Sequence, residues 1–341
     1  MLRHLRTGLS RGARLPTASR LPTASRLRNG PWLRGGLAAL AVAFCVYGLV
    51  NERAEAGAAL HRLDWYAVIG AIVAAGLGLG CMMLAWRTLL ADLGSPLPPR
   101  VAARVMFVGQ LGKYVPGALW AIAAQVELAR NRGVPRERAA SATVVAIAVT
   151  LAAGLMTALI VLPLTSAHAA RHYWWLLACA PLLLIALYPP VLGATLDRAL
   201  RLVRRPPLER RISLPGLARG VGWTFLGWAF YSIHVWLLVS NVTGQGIHIL
   251  PLSAGAYALA YLAGFAAVLF PGGLGPRELA LTAALAPVMP RGSALLVAVV
   301  SRVVMTIADL GWAGTGFLLG RGQRQPDQGR AGAASESSAL R

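Results

Sequence analysis

The sequence predicts an all-α fold, a polytopic bundle of transmembrane helices with about six full spans and two inverted re-entrant hairpins. Three observations predict it. Of 341 residues, 57% are hydrophobic and only 13% charged, against about 45–50% and about 25% in soluble domains. Apolar runs long enough to cross a bilayer recur along the chain, separated by short loops rich in arginine. Two further apolar stretches are broken in their middles by Pro-Gly pairs. This composition excludes an ordinary soluble enzyme and a disordered chain.

Residues 1–34 hold eight arginines, no acidic residue and a direct repeat, RLPTAS at 14–19 and 20–25, and read as a disordered basic arm. Residues 35–320 form the membrane domain, and 321–341 a polar, disordered cytoplasmic tail. Full spans are expected at about 35–50, 65–86, 139–163, 173–194, 217–240 and 293–319. The first is read as uncleaved, although Ala54-Glu55-Ala56 has the look of a signal-peptidase site.

Stretches 105–128 and 250–289 are treated differently. Lys113 and Pro116-Gly117 interrupt the first, and Phe270–Pro276 the second. If 105–128 crossed, the loops bearing Arg130–Arg138 and Arg198–Arg211 would both lie outside, against the positive-inside rule. If it dips in and returns, both loops fall inside, with both termini. Broken backbone is tolerated at that depth when buried in protein or lining a wet cavity. The same count makes 250–289 a second dip from the opposite face. A repeat supports this: Pro116-Gly117 precedes Pro135-Arg136 by the same nineteen residues that separate Pro271-Gly272 from Pro290-Arg291. The corresponding blocks are 105–163 and 250–319. Interrupted segments in two inverted halves point to a binding site at mid-membrane.

The net charge is +21, with 33 Lys+Arg, of which Lys113 is the sole lysine, against 12 Asp+Glu. The arginines sit in short loops, so the excess reads as topology and contact with anionic headgroups rather than nucleic-acid binding. Cys45, Cys81 and Cys179 lie in apolar runs without a CxxC, which excludes a disulfide framework and a thiolate zinc site. His168 and His172 lack an acidic partner and read as an interfacial cap beside Tyr173, Trp174 and Trp175. No Walker A or GxSxG sequence occurs. No cofactor or metal is expected, and no complete catalytic constellation.

Ionisable groups inside membrane segments are costly and therefore candidates for function. They are Lys113, Glu127, Arg277, Glu278, Arg302 and Asp309. Gln110 shares a helix face with Lys113. Tyr114, Pro116 and Gly117 complete the first break. Gly272, Gly273 and Gly275 lead into Pro276, where a helix is expected to begin with free N–H groups aimed at the break and Arg277 beside them. The plainer reading is a structural elbow. Arg302 and Asp309 share a face of the last span, with Arg302 expected to pair with Glu278 or Asp309 or to meet a phosphate. Glu127 is expected near the surface, opposite Arg130.

Lys113-Tyr114-Val115-Pro116-Gly117, Arg132-Gly133-Val134-Pro135 and Pro271–Glu278 occur in the order found in a known family. Over roughly 33–320 the chain resembles the lysylphosphatidylglycerol synthase transmembrane-region family, the flippase-like part of the bacterial multiple peptide resistance factor. The resemblance implies a protein of the inner (plasma) membrane that handles phospholipids or polyprenyl-linked lipids. The synthase activity belongs to a soluble domain after the membrane region; the sequence stops about twenty residues after the last span, so that domain is not expected. Family members often carry a charge early in the span after the Gly-Val-Pro block, whereas Ser141–Val149 is uncharged. The expectation is a lipid translocase or lipid-binding transporter, not an enzyme, with a midplane headgroup cavity and membrane lipids as partners. The alternative is a non-transporting scaffold or accessory protein that meets envelope-synthesis proteins. It expects closed dips, with Lys113 and Arg277 paired to acids.

Overall fold

The computed structural model describes residues 31–114, 120–165, 185, 188–202, 210–267, 270 and 273–320. Among the described residues there are eleven α-helices and no strand. In chain order they are α1 (Pro31–Asn51), α2 (Arg53–Arg62), α3 (Trp65–Asp92), α4 (Pro99–Gln110), α5 (Trp120–Arg130) and α6 (Arg136–Thr165). Then follow α7 (Pro189–Leu202), α8 (Leu214–Thr243), α9 (Leu250–Ala266), α10 (Pro276–Leu285) and α11 (Arg291–Gly320).

Five segments are long and apolar enough to cross a membrane: Trp65–Asp92, Arg136–Val161, Leu214–Thr243, Ile247–Ala266 and Arg291–Leu318. Four of these coincide with expected spans. The fifth is the first arm of the second expected dip. The span expected at 35–50 falls in α1, whose described apolar part is the shorter Val42–Asn51. Most of the span expected at 173–194, residues 1–30 of the expected arm and the tail 321–341 lie outside the described residues; residues 31–34, expected in the disordered arm, instead begin α1.

Local sequence fixes the helix ends. The Ser213 hydroxyl accepts from the Gly216 N–H at 3.1 Å to start α8, and Gly244 at φ 70° ends it in the left-handed conformation that glycine favours. Pro276 opens α10, and Glu278 reaches back to the Gly275 N–H at 2.7 Å. At the far end of the bundle, Asp64 accepts from Tyr66 and Asn241, which together hold its carboxyl below the usual range. There the Glu55 carboxylate also takes the Gly292 N–H at the start of α11.

The core is the α3–α8 pair, flanked by two helical hairpins. In the first, α4 packs on α5; in the second, α9 packs on α10. The twelve residues of α4 span about 18 Å at 1.5 Å per residue, short of a hydrocarbon core about 30 Å thick. Each hairpin is drawn tight by glycine. A Cβ on Gly109 would lie 2.9 Å from the Gln125 Cα, and one on Gly112 would lie 2.8 Å from the Ala121 nitrogen. In the second hairpin, Gly273 at φ 71° lies against Gly264, where a Cβ would come within 2.7 Å of backbone.

The two expected repeat blocks exchange arms. The long helix of the first, α6, packs on α9; the long helix of the second, α11, packs on α4. Phe107 of α4 stacks on Trp312 of α11 with ring centroids 4.6 Å apart. Indoles tie the helices by hydrogen bonds: buried Trp86 donates to Thr143, buried Trp228 to the Thr150 carbonyl, and half-buried Trp312 to the Gly76 carbonyl.

Arginine is distributed unevenly between the ends. Arg87, Arg100, Arg130, Arg136, Arg198, Arg210 and Arg211 belong to the end where α3 finishes and α4, α6 and α8 begin. Asp64, Glu52 and Glu55 belong to the other.

Candidate functional site

The interior holds a constellation contributed by both hairpins and by α11. A 3₁₀ turn, Leu111–Tyr114, follows α4 directly and carries two of its members. The Lys113 Nζ lies 2.6 Å from the Asp309 Oδ2, and the Tyr114 hydroxyl donates to the same oxygen at 2.7 Å. Asp309 is 6% exposed, whereas the Lys113 side chain is 33% exposed. The salt bridge is therefore dry on the carboxylate side and open on the ammonium side. Gln110, the last residue of α4, sits one turn before Lys113 and is half-buried.

The start of α10 contributes the next members. Glu278 Oε2 accepts from Gly275, which stands at φ 91°. Its Oε1 has no hydrogen-bond partner among the described residues and lies 3.7 Å from an Arg302 Nη1. One of the N–H groups expected to be free at this helix start, that of Gly275, is thus taken by Glu278. The helix's own third residue supplies the carboxylate that its N-terminus attracts, and Arg302 rather than the break faces that carboxylate.

Arg277 is held differently. Its guanidinium donates to the Tyr257 hydroxyl and lies over two aromatic faces, 4.9 Å from the Tyr257 ring centre and 5.7 Å from that of Tyr261. No carboxylate lies within salt-bridge distance of it among the described residues. The two tyrosines are four apart on α9, so one helix face presents both. Behind them is a buried aromatic layer from α8, Trp228, Tyr231 and His234. His234 bonds Ser301 of α11 at 2.9 Å through its Nε2.

Lys113, Arg277 and Arg302 stand within electrostatic reach of one another. With Asp309 and Glu278 they make three cations and two carboxylates, one positive charge in excess. Of the twelve residues singled out from sequence, Gln110, Lys113, Tyr114, Gly273, Gly275, Arg277, Glu278, Arg302 and Asp309 are described. Pro116, Gly117 and Gly272 lie outside the described residues, as do His168 and His172. Among the described residues no cluster of three or more potential metal ligands occurs.

Glu127, also singled out among the ionisable residues, stands apart from this constellation. It pairs with Arg130 at 2.6 Å and with Arg136 at 3.0 Å, tying α5 to α6 on the exposed arginine-rich end.

Sequence reasoning missed Tyr257, Tyr261, His234 and Gln125. The Tyr-x₃-Tyr spacing in the arm leading to the second break was a usable signal. His234, an ionisable residue inside an apolar span, was another. Gln125 is buried in α5 with its amide nitrogen unpartnered among the described residues.

An excess cation among tyrosines, beside two breaks in apolar helices, can hold an oxyanion without any reacting group. Curated proteins offer no match to the chain. The family model described as the lysylphosphatidylglycerol synthase TM region matches residues 32–312, and the chain belongs to that family.

Proposed function

We propose that this multi-pass membrane protein binds the phosphate-bearing headgroup of a phospholipid or polyprenyl-linked lipid at its mid-bundle charge cluster and carries it across the bilayer. The observation that carries the reading is Arg277, a half-buried cation with tyrosines and, among the described residues, no carboxylate for partners. A charge at mid-membrane costs about 2.5–3.5 kcal/mol even by insertion scales. Such a group is retained where a ligand completes it. In this reading Arg277 and the ammonium of Lys113 receive the phosphate, and Asp309 acts as a resident counterion that the phosphate displaces. The two hairpins act as re-entrant dips from opposite faces, supported by the short α4 and by the exchanged packing of the repeat blocks. The arginine-rich end faces the cytoplasm of an inner-membrane protein, and both termini lie on that side. The chain carries no catalytic step of its own.

A specific observation also favours the scaffold reading. Lys113 and Arg302 both face acids, as closed dips would have them. Arg277 separates the two readings, because a purely structural cluster would pair it as well.

The test is the lipid content of the purified protein by mass spectrometry, wild type against Lys113→Ala and Arg277→Ala. Enrichment of one anionic lipid or polyprenyl phosphate over the bulk membrane, lost in both variants, is the expected result. A bulk-like profile unchanged by either substitution would overturn the headgroup site and leave the scaffold.

A further inference from the structure

We infer that the arginine-rich end of the bundle holds a second anion site, separate from the mid-bundle cluster, which takes a phosphate-bearing anion at headgroup depth. A cavity of about 500 Å³ opens between the end of α3 and the start of α8. Arg87, Thr88, Asp92, Arg210, Arg211 and Arg219 line it. Its size falls within the range of small-molecule sites, about 300–1,000 Å³. Four arginines against one carboxylate leave the lining with three positive charges in excess.

The single carboxylate is already committed. Asp92 Oδ2 accepts from the Ser213 N–H at 2.6 Å, and its Oδ1 accepts from the Ser213 hydroxyl at 2.8 Å. It seals the start of α8, and a Cβ on Gly216 would collide with it at 2.2 Å. Both oxygens thus serve the helix, not the arginines. Arg87 is fixed by its Nε, which donates to the Leu97 carbonyl at 2.7 Å. Arg219 is fixed in the same way by the Pro215 carbonyl at 3.3 Å. In both, the two terminal nitrogens of the fork have no hydrogen-bond partner among the described residues. Arg210 meets no acid there, and Arg211 reaches Asp197 only at 3.6 Å. Guanidinium groups held by one nitrogen and open at the others suit the bidentate binding of phosphate.

A simple excess of loop arginines would satisfy the positive-inside rule on an open surface. Here the cations converge on a cavity between two helices, with its one lining carboxylate spent on α8 and Asp197 facing Arg211 alone among the described residues. The surroundings also suit a lipid. Gly222 and Leu226 continue from Arg219 along an exposed face of α8, at spacings of three and four, and a Cβ at Gly222 would meet nothing within 4 Å. Chains below a headgroup held at Arg219 have an open apolar track to lie on. Basic pockets at the ends of spans are characteristic places for anionic headgroups.

The shared chemistry is the phosphate, from a lipid or free in solution, and two arms separate these sources. The full chain in neutral detergent is titrated with diphosphatidylglycerol, with phosphatidylcholine as the zwitterionic reference, and bound lipid is counted by native mass spectrometry. In parallel, binding of inorganic pyrophosphate is measured by equilibrium dialysis. Each is repeated with Arg87→Gln/Arg219→Gln and with Arg100→Gln/Arg198→Gln, a pair that removes equal charge outside the cavity. The expected result is that the cavity pair weakens binding in one or both arms by about tenfold or more, while the outside pair stays at the wild-type level. Loss in the lipid arm alone identifies a membrane headgroup; loss in the pyrophosphate arm identifies free phosphate. Binding insensitive to the cavity pair in both arms, or equally weakened by both pairs, overturns the site. Should Arg87→Gln disturb folding through Leu97, Arg219→Gln alone repeats the test at an exposed position. The whole comparison is repeated in a Lys113→Ala/Arg277→Ala background, which removes mid-bundle binding from the count, so failure of this site and of the mid-bundle site are read independently.

Discussion

Arg277 and Arg302 are half-buried arginines of one cluster with opposite surroundings, tyrosine faces for the first and the Glu278 carboxylate for the second. A cation–π contact returns about 0.5–2 kcal/mol, less than the cost of holding the charge in hydrocarbon. Asp309 plays the complementary part, since both Lys113 and Tyr114 converge on its Oδ2. Asp309→Asn removes the counterion and leaves Lys113 short of a partner. Because Lys113 is one-third exposed, water softens the loss to about 1–2 kcal/mol. The variant is expected to melt lower than wild type without ligand, yet to gain more from added anionic lipid, as measured by thermal unfolding. An equal gain in both proteins would mean that Asp309 does not compete with the anion. The charged residues were legible in the sequence because charge is rare in apolar runs. Tyr257 and Tyr261 were not, because a tyrosine in such a run reads equally well as core. Their role depends on which arginine the second hairpin folds back onto them.

The two hairpins show how a glycine acts at the scale of an element. Gly109 sits where α4 and α5 touch backbone to backbone, and a Cβ there meets the Gln125 Cα and nitrogen at 2.9 and 3.0 Å. Backbone atoms cannot turn aside as a side-chain tip can. Gly109→Ala is therefore expected to destabilise the protein by about 1–3 kcal/mol through overpacking. Gly311→Ala in α11 is the control, since nothing lies within 4 Å of its Cβ. It is expected to be neutral or to raise the melting temperature, because alanine gains about 0.5–1 kcal/mol over glycine inside a helix. Similar losses for both would mean that α4 and α5 are not held at this contact. The Pro-Gly breaks announced the hairpins in the sequence, and Pro276 announced the start of α10. The contact glycines gave no such notice among 37 glycines. Nor could the capping by Glu278 be told from a free anion site, since both begin with the same Gly-Pro-Arg-Glu sequence.

Across the whole molecule, arginine counting and the nineteen-residue echo both point to the proposed arrangement, two blocks of opposite sense. The packing adds what counting could not, that each block's long helix grips the other block's hairpin. Asn131, at the turn after α5, and His248, before α9, are both exposed and belong to opposite ends of the bundle. In a background with Cys45, Cys81 and Cys179 replaced, Asn131→Cys and His248→Cys are expected to react with an impermeant thiol reagent from opposite sides of the membrane. Labelling of both from one side would overturn the inverted arrangement. The expected span at 173–194 bears on the same parity, and its sequence alone supports it here.

The sole lysine of the sequence stands in the mid-bundle cluster, with its ammonium partly open and its partner carboxylate buried. An amine-directed reagent therefore finds a single side chain to modify in this protein, and that side chain belongs to the cluster. Acylation would erase its charge and release Asp309. The yield of that one adduct is a built-in gauge of whether the cluster stands open, latched or filled.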